Sequence, residues 1–491
     1  MPRIVVIGGG AAGSALVGEL LRPGRPTEAD IVWLVGQRAP GRGIAYSTSA
    51  DHHLLNVRAA GMGLFVDDIG AFLRYTAARG LPVKGADFVP RSWFGDFVES
   101  SLARLVSESR RPGRLSVQSH EAVAVRGDAT SGYTVTTEDG ERWRADAVVL
   151  AVGALPPAPL AAVAPEALRS GAYVTDPWQW PTLAQAPERV VVVGTGLTAV
   201  DVLLSASTLW PHAQLTAISR HGQLPRTHAS HPGEPYPHQQ ELIDAFEAEP
   251  RIRAWLRTAR TTLADEDVDW RAVVDGLRGA TPGLWRQLDG TERARFVRHL
   301  RWLWEPMRHR MPPQTATAIA RLRTQGRLKI VAARVLAVSG EGPLDVRIRP
   351  RGGEIQRSLT ADLVIQATGL TTLAEQTSHR LIGQMIAEDV VRPDRLGLGL
   401  CADAQGRLRG ADGGAAPTLR AIGTLLRGAL WECSGLPEIR AMARVIADDL
   451  ARELAAPGRR RLGAVTTGTP ADDGKRHRGF DADRDSSHSG H

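Results

Sequence analysis

RIVVIGGGAAGSALVGELL, residues 3–21, decides the fold. A short apolar run, Arg3–Ile7, meets a cluster of glycines and passes into AAGSALVGELL, whose apolar residues recur at helical spacing; IVWLV, residues 31–35, then supplies a second buried-type strand. Gly8, Gly10 and Gly13 form G-x-G-x-x-G at the passage from strand to helix. In that position the glycines permit a tight turn, close approach of a pyrophosphate and close packing of helix on strand. The unit reads as a βαβ dinucleotide site.

The same logic recurs in RVVVVGTGLTAVDVLL, residues 189–204, where Gly194, Gly196 and Ala199 give G-x-G-x-x-A, followed by the strand QLTAISR, residues 214–220. Two such units predict two nucleotides. The second unit ends in Ser219, Arg220 and His221, hydroxyl and cationic groups suited to a ribose 2′-phosphate, which favours NADPH over NADH. In the first unit Val35 stands where an Asp or Glu would receive the ribose hydroxyls, so the reading turns to Gln37 or Arg38 for the adenosine half.

Outward from these units, Pro40–Gly63 is rich in Gly, His and Asn without helical period and reads as a long loop over a ligand or domain seam. Leu115–Asp146 alternates weakly and predicts an antiparallel meander returning to the main sheet. Residues 241–323 are helical and rich in Arg and Trp; RLKIVAARVLAVSG, LDVRIRP and ADLVIQATG then restore strand character, and a closing helix is expected over Pro437–Leu454. Residues 457–491, dominated by Gly, Asp, Arg, Ser and His, are expected to be disordered.

The chain has 491 residues, enough for two or three domains. Its formal net charge of +7 comes largely from scattered Arg with no recognisable binding motif, which argues against a nucleic-acid partner. Cys401 and Cys433 stand far apart, so no disulfide framework or redox dithiol is expected. The absence of a charged leader with an apolar core, and of a long apolar run, predicts a cytoplasmic protein with no membrane partner.

GRGIAYST, HLLNVRAAGM, FVPRSWFGDF, VTDPW, VVVGTGLTAVD, SRHGQLPR, RHRMPP, IGTLLRGALWE and LPEIR, spread over about residues 3–455, carry a resemblance. The chain resembles the bacterial FAD-NAD(P)-binding family that includes the nitrosuccinate-forming L-aspartate N-monooxygenases, and more distantly the ornithine and lysine N-hydroxylases. The resemblance implies an α/β fold of two Rossmann-like dinucleotide-binding domains, FAD and NADPH, with a helical insertion. It divides the chain into an FAD domain (1–180 and 360–456) and an NADPH domain (187–359) carrying the insertion at about 241–323. It further implies that NADPH reduces FAD, that reduced flavin captures O2, and that oxygen passes to the nitrogen of a small amine or amino acid. Two alternatives stay open: a reductase or dehydrogenase without oxygen insertion, and a non-catalytic binding protein that has lost FAD, which Val35 would explain. A homo-oligomer is compatible with all three.

Within this frame Tyr46 and Asn56 are expected against the flavin, Asn56 either bonding isoalloxazine or nicotinamide or capping its own loop. The returning strands close at Gly153 and Gly369, and Gly423 and Thr424 occupy the place of backbone that meets the flavin's ribityl and pyrimidine ends. His52 and His53 invite an acid–base reading, His53 foremost, against that of ordinary surface histidines. Arg91, Arg308 and Arg310 offer guanidinium forks, with Arg226 beside them; these hold substrate carboxylates or coenzyme phosphates, or else make interdomain salt bridges. His228, His231 and His238 match no zinc pattern, and no metal is expected. Trp431, Glu432, Pro437, Glu438 and Arg440 match the family with no role apparent from the residues.

Overall fold

Arg3–Ile7 is buried on both faces and flanked by parallel neighbours on both edges, Val5 pairing with Val32 on one side and Val148 on the other. That environment explains an unbroken Val/Ile run in place of alternation. The structure is a computed structural model describing residues 1–22, 29–37, 39–108, 114–265, 267–410 and 412–455; Arg38 and the tail expected at 457–491 lie outside the described residues.

The first sheet has six strands in the order Arg407–Arg409, Ala415–Ala421, Ala147–Leu150, Arg3–Ile7, Asp30–Leu34 and Leu115–Gln118, all parallel except the first. Helices Ala11–Leu21, Arg91–Glu108 and Leu436–Ala455 cover one face through a core containing Leu16, Leu20, Phe94, Ile446 and Leu450. The antiparallel meander of Ala122–Asp128, Gly132–Thr137 and Arg142–Ala145 covers the other with helix Arg380–Ala387. The meander is thus shorter than expected, because Leu115–Gln118 joins the main sheet.

The second sheet has seven strands in the order Arg357–Ala361, Leu344–Pro350, Leu328–Ser339, Gln214–Ser219, Arg189–Val193, Leu363–Gln366 and Tyr173–Val174. This corrects the expected domain division. Leu363–Gln366, placed with the FAD domain from sequence, pairs with Arg189–Val193, and Tyr173–Val174 pairs with it in turn. The chain crosses between the sheets at Leu155, whose N–H donates to the Thr371 carbonyl on the returning strand at 3.1 Å. The insertion lies where expected: among the described residues, seven helices from Gln239–Ala248 to Pro313–Thr324 form the crossover between the parallel strands Gln214–Ser219 and Leu328–Ser339.

The first turn is locked by backbone contact. A Cβ on Gly13 would lie 2.1 Å from the Gly8 carbonyl oxygen, which also accepts from Trp33 Nε1 at 2.9 Å. Gly13→Ala is expected to lower stability by about 2–3 kcal/mol, whereas Gly279→Ala, with nothing within 4 Å, leaves it unchanged or raised. Thermal unfolding of the two variants checks this; equal melting temperatures would refute the packing argument.

Candidate cofactor and substrate site

Gly10 caps helix Ala11–Leu21 with extended backbone and no side-chain cap, leaving the helix's leading N–H groups available to an anion. A Cβ on Gly10 would meet only Gly43 Cα, at 3.6 Å; one on Gly423 would meet only Ala12 Cβ, at 4.0 Å; one on Gly153 would meet nothing within 4 Å. Together they line an open cradle of backbone, with buried Thr424 behind it, which fits a dinucleotide pyrophosphate. Residues 41–43 drape over it: Gly41 N–H donates to the Gly9 carbonyl at 2.8 Å, and Arg42 is fastened by Glu99 at 2.8 Å and by Asp96.

At the adenosine end Val35 is buried, and the chain turns away at Gly36 with φ +71°. A carboxylate nevertheless stands there: a Cβ on Gly36 would lie 3.6 Å from Glu121 Cγ and 3.8 Å from Glu121 Oε1. Gln37 is exposed beside it.

The second turn repeats the arrangement. Gly194, at φ +133°, passes so close to the Ala367 carbonyl that a Cβ would lie 2.1 Å away, while Gly196 and Gly369 face open space. Ala199 is buried under the sheet, which explains a small residue at the third position. Thr195 Oγ1 donates to Ser219 Oγ at 2.8 Å, and Gly222 N–H donates to the same oxygen at 3.0 Å, so Ser219 braces the turn at the strand end.

Between the two turns runs a polar seam. His53 is buried; Nδ1 bonds Thr48 Oγ1 at 2.7 Å and Nε2 bonds Ser205 Oγ at 2.8 Å. His52 Nε2 reaches the same Ser205 hydroxyl at 3.0 Å. Arg91 pairs with buried Asp201 at 2.8 Å and donates to the Leu54 carbonyl at 3.1 Å. Ser205 and Asp201 belong to helix Leu197–Leu209 of the second unit, so these contacts join the two units. Both ring nitrogens of His53, and Nε and Nη1 of Arg91, are thus engaged by the protein in this structure. Tyr46 packs edge-on against Phe94 at 4.7 Å, and burial pushes its hydroxyl up to about 12. Asn56 differs: its backbone carbonyl bonds His228 Nε2 at 3.1 Å, while its half-buried side chain has no hydrogen-bond partner among the described residues.

The insertion is clamped to residues 427–440. Arg308 pairs with Glu432 at 2.7 Å, Arg278 with Glu438, Arg427 with Glu305, and Trp285 Nε1 donates to the Gly428 carbonyl at 2.9 Å. Arg440 donates to the Gly61 and Gly63 carbonyls at 2.8 and 3.0 Å, holding the end of the 52–63 loop. These contacts supply the role that the 431–440 motif lacked in sequence, and for Arg308 they replace a ligand with an interdomain salt bridge. Arg310 pairs with Asp275, yet its buried Nε has no partner. It lines a cavity of about 380 Å³ with Arg58, His228, Gln239 and Arg271, where both amide atoms of Gln239 are likewise buried and unpartnered. Arg58, which lies within HLLNVRAAGM, and Gln239 were not singled out from the sequence.

Burial, reinforced by Arg91, Arg310 and Arg308 respectively, pushes His53, His228 and His309 from 6.5 down to about 4. Each is neutral when folded and takes up a proton near 6.5 when unfolded. Their contribution is therefore complete above pH 6.5 and is lost as pH falls toward 4. The melting temperature is expected to drop over that window, and less steeply for His228→Gln; a flat profile in the parent protein would refute this assignment.

Comparison with known proteins extends the geometry. Residues 5–155 match the FAD-NAD(P)-binding family, and residues 115–264 match the L-lysine 6-monooxygenase/L-ornithine 5-monooxygenase family. No curated protein sequence matches significantly. Among solved structures, L-lysine 6-monooxygenase from Pseudomonas syringae has a TM-score of 0.63 at 15% identity, covering 92% of this chain and 100% of that one. An ornithine N-hydroxylase from Kutzneria sp. 744, solved with reduced FAD, NADP+ and L-ornithine, has a TM-score of 0.60 at 16% identity, covering 92% and 99%. A cadaverine monooxygenase from Erwinia amylovora, solved with FAD, has a TM-score of 0.55 at 13% identity, covering 95% and 98%. At these identities the superpositions establish a shared fold, and the two overlapping sequence matches add the relationship: this chain is of the flavin-dependent monooxygenase type, with FAD and a nicotinamide dinucleotide as cofactors, related to the L-lysine 6-monooxygenase/L-ornithine 5-monooxygenase family.

Proposed function

We propose that the protein uses NADPH and O2 to N-oxidise a small amino acid or amine, with L-aspartate, giving nitrosuccinate, as the leading substrate. The observation that supports the choice is the cavity between the 52–63 loop and the insertion, lined by Arg58, by Arg271 and Arg310 with their partners Asp269 and Asp275, and by Glu234, where Arg310 Nε and the amide of Gln239 stay buried and unpartnered. A guanidinium cluster of this kind receives carboxylates through paired N–H donors. Cadaverine, the substrate of the Erwinia amylovora relative, has no carboxylate to offer it.

FAD, when bound, supplies transfer of electrons from the nicotinamide to O2 and of one oxygen atom to nitrogen. For the first step the balance is R–NH2 + O2 + NADPH + H+ giving R–NHOH + H2O + NADP+. The chain's own residues bind, orient and exclude water. Gly10, Gly153 and Gly423 cradle the pyrophosphate, and Asn56 presents its free amide to the flavin or substrate. Arg58 and Arg310 hold the substrate carboxylate. His228, neutral and donating from Nε2 to Asn56, keeps Nδ1 as the ring's acceptor for an amine N–H. Arg91, Arg308 and His53 position these groups from the seams.

The test is to incubate the FAD-reconstituted protein with NADPH, 18O2 and a panel of L-aspartate, L-ornithine, L-lysine and cadaverine, followed by mass spectrometry. An 18O-labelled N-oxidised product from aspartate, matched to NADPH consumed, is expected. Hydrogen peroxide as the sole product across the panel would overturn the reading in favour of a reductase.

Glu121 takes the ribose-facing place that Val35 leaves empty. Glu121→Ala is expected to weaken FAD binding about tenfold, measured by quenching of flavin fluorescence on titration. Gly10→Val, whose side chain enters the cradle, should abolish binding while the melting temperature of the flavin-free protein stays unchanged. Undiminished flavin affinity in either variant would remove the corresponding assignment.

A further inference from the structure

At the end of strand Gln214–Ser219 three cationic or ionisable groups converge without an acid. Arg220 is exposed at the strand end, and the chain then turns at Gly222, φ +61°, where a Cβ would lie 3.0 Å from the Ala332 side chain. His221 stacks on Trp302 of the insertion, ring centroids 4.1 Å apart and planes at 7°. Arg351, held by its N–H to the Ala332 carbonyl at 2.8 Å, brings its guanidinium to 5.6 Å from the centroid of the same Trp302 ring. Ser219 pairs with Ala332 in the sheet, so the register sets Arg351 beside the strand end.

No carboxylate pairs with Arg220 or Arg351 among the described residues, although most arginines described above are engaged by acids. His221 Nδ1 is buried and has no hydrogen-bond partner. Burial, together with Arg351 and Arg220, lowers the imidazole's pKa below its ordinary value, as expected of a ring held between cations. Such a cluster lowers its own repulsion by taking an anion.

We infer that Arg220, His221 and Arg351, braced by Trp302, form the site for the phosphomonoester on the adenosine ribose of NADPH. The inference rests on the NADPH reading and adds two elements to it. Coenzyme preference is set by the insertion, through Trp302, and by the segment after strand Leu344–Pro350, through Arg351, as well as by Arg220. An anion there also favours the protonated ring, so binding draws a proton onto His221 near neutrality.

The experiment uses the FAD-loaded protein and titration calorimetry with 2′,5′-ADP, 5′-AMP and inorganic phosphate as probes. The parent protein is expected to bind 2′,5′-ADP at least about tenfold more tightly than 5′-AMP. Inorganic phosphate alone should bind far more weakly than 2′,5′-ADP, which ties the site to the nucleotide. Arg351→Ala should lose about tenfold toward 2′,5′-ADP with 5′-AMP unchanged, and Arg351→Lys should recover part of the loss. In two buffers of different ionisation enthalpy, 2′,5′-ADP should take up protons near pH 7, and His221→Phe should abolish that uptake while keeping the stack on Trp302. No preference in the parent protein would overturn the NADPH reading and this site with it. A preference left intact by Arg351→Ala, or proton uptake persisting in His221→Phe, would overturn this inference while the coenzyme reading stands.

Discussion

Everything else in the molecule is arranged around a buried polar seam, in which Arg91 meets Asp201 and His53 meets Ser205. Charges taken out of water are costly, and the pairing repays that cost only where geometry is good and the remaining valences are met. Here Arg91 also serves the Leu54 carbonyl, and His53 uses both nitrogens. Loss of one partner leaves the other charge stranded, so the seam opposes sliding between the two nucleotide units more strongly than an apolar contact of equal area would. Lowered histidine pKa values belong to the same logic: a neutral imidazole satisfies its neighbours without adding a charge beside Arg91.

A second constraint works from the far end of the chain. Trp431 adopts φ +59°, a conformation that costs a bulky residue about 1–2 kcal/mol and that persists only where packing over-determines it. The Trp285 ring at 5.0 Å, the Phe296 ring at 4.9 Å and the Arg427 guanidinium at 4.4 Å do so. The insertion is thereby pressed onto residues whose continuation, through Arg440, fixes the 61–63 loop. Arg310 Nε and Gln239 stay unpartnered in the cavity, and His221 Nδ1 stays unpartnered at the end of strand Gln214–Ser219.

Much of this was legible in the sequence. Glycine spacing between an apolar run and a helix reports a backbone crevice, because no other residue fits at Gly8 or Gly13, and the signal is local. Strand membership is not local: AVVLAVG and ADLVIQATG share one form, an apolar run closing on glycine, yet Ala147–Leu150 returns to the first sheet and Leu363–Gln366 to the second. The arginines stayed between two readings for a related reason. A guanidinium fork is equally suited to a substrate carboxylate and to Glu432, and only the fold brings Glu432 to Arg308. Val35 suggested a lost site because the residue expected to carry the acid is adjacent in sequence. Glu121 approaches from the meander, a place that no spacing rule inspects.

The loop joining the two proposed anion sites shows why the insertion belongs to the chemistry and not to the periphery. Residues 219–222 meet Trp302 at one end, and His228 reaches the cavity at the other. Between them Arg226 N–H donates to the Pro306 carbonyl at 2.8 Å, Met311 N–H to the Arg226 carbonyl at 2.9 Å and His228 N–H to the Met311 carbonyl at 3.0 Å. SRHGQLPR and RHRMPP are therefore tied side by side through the isolated bridge Thr227–Met311, with Arg308 and Arg310 in the second segment and Trp302 on the helix that leads into it.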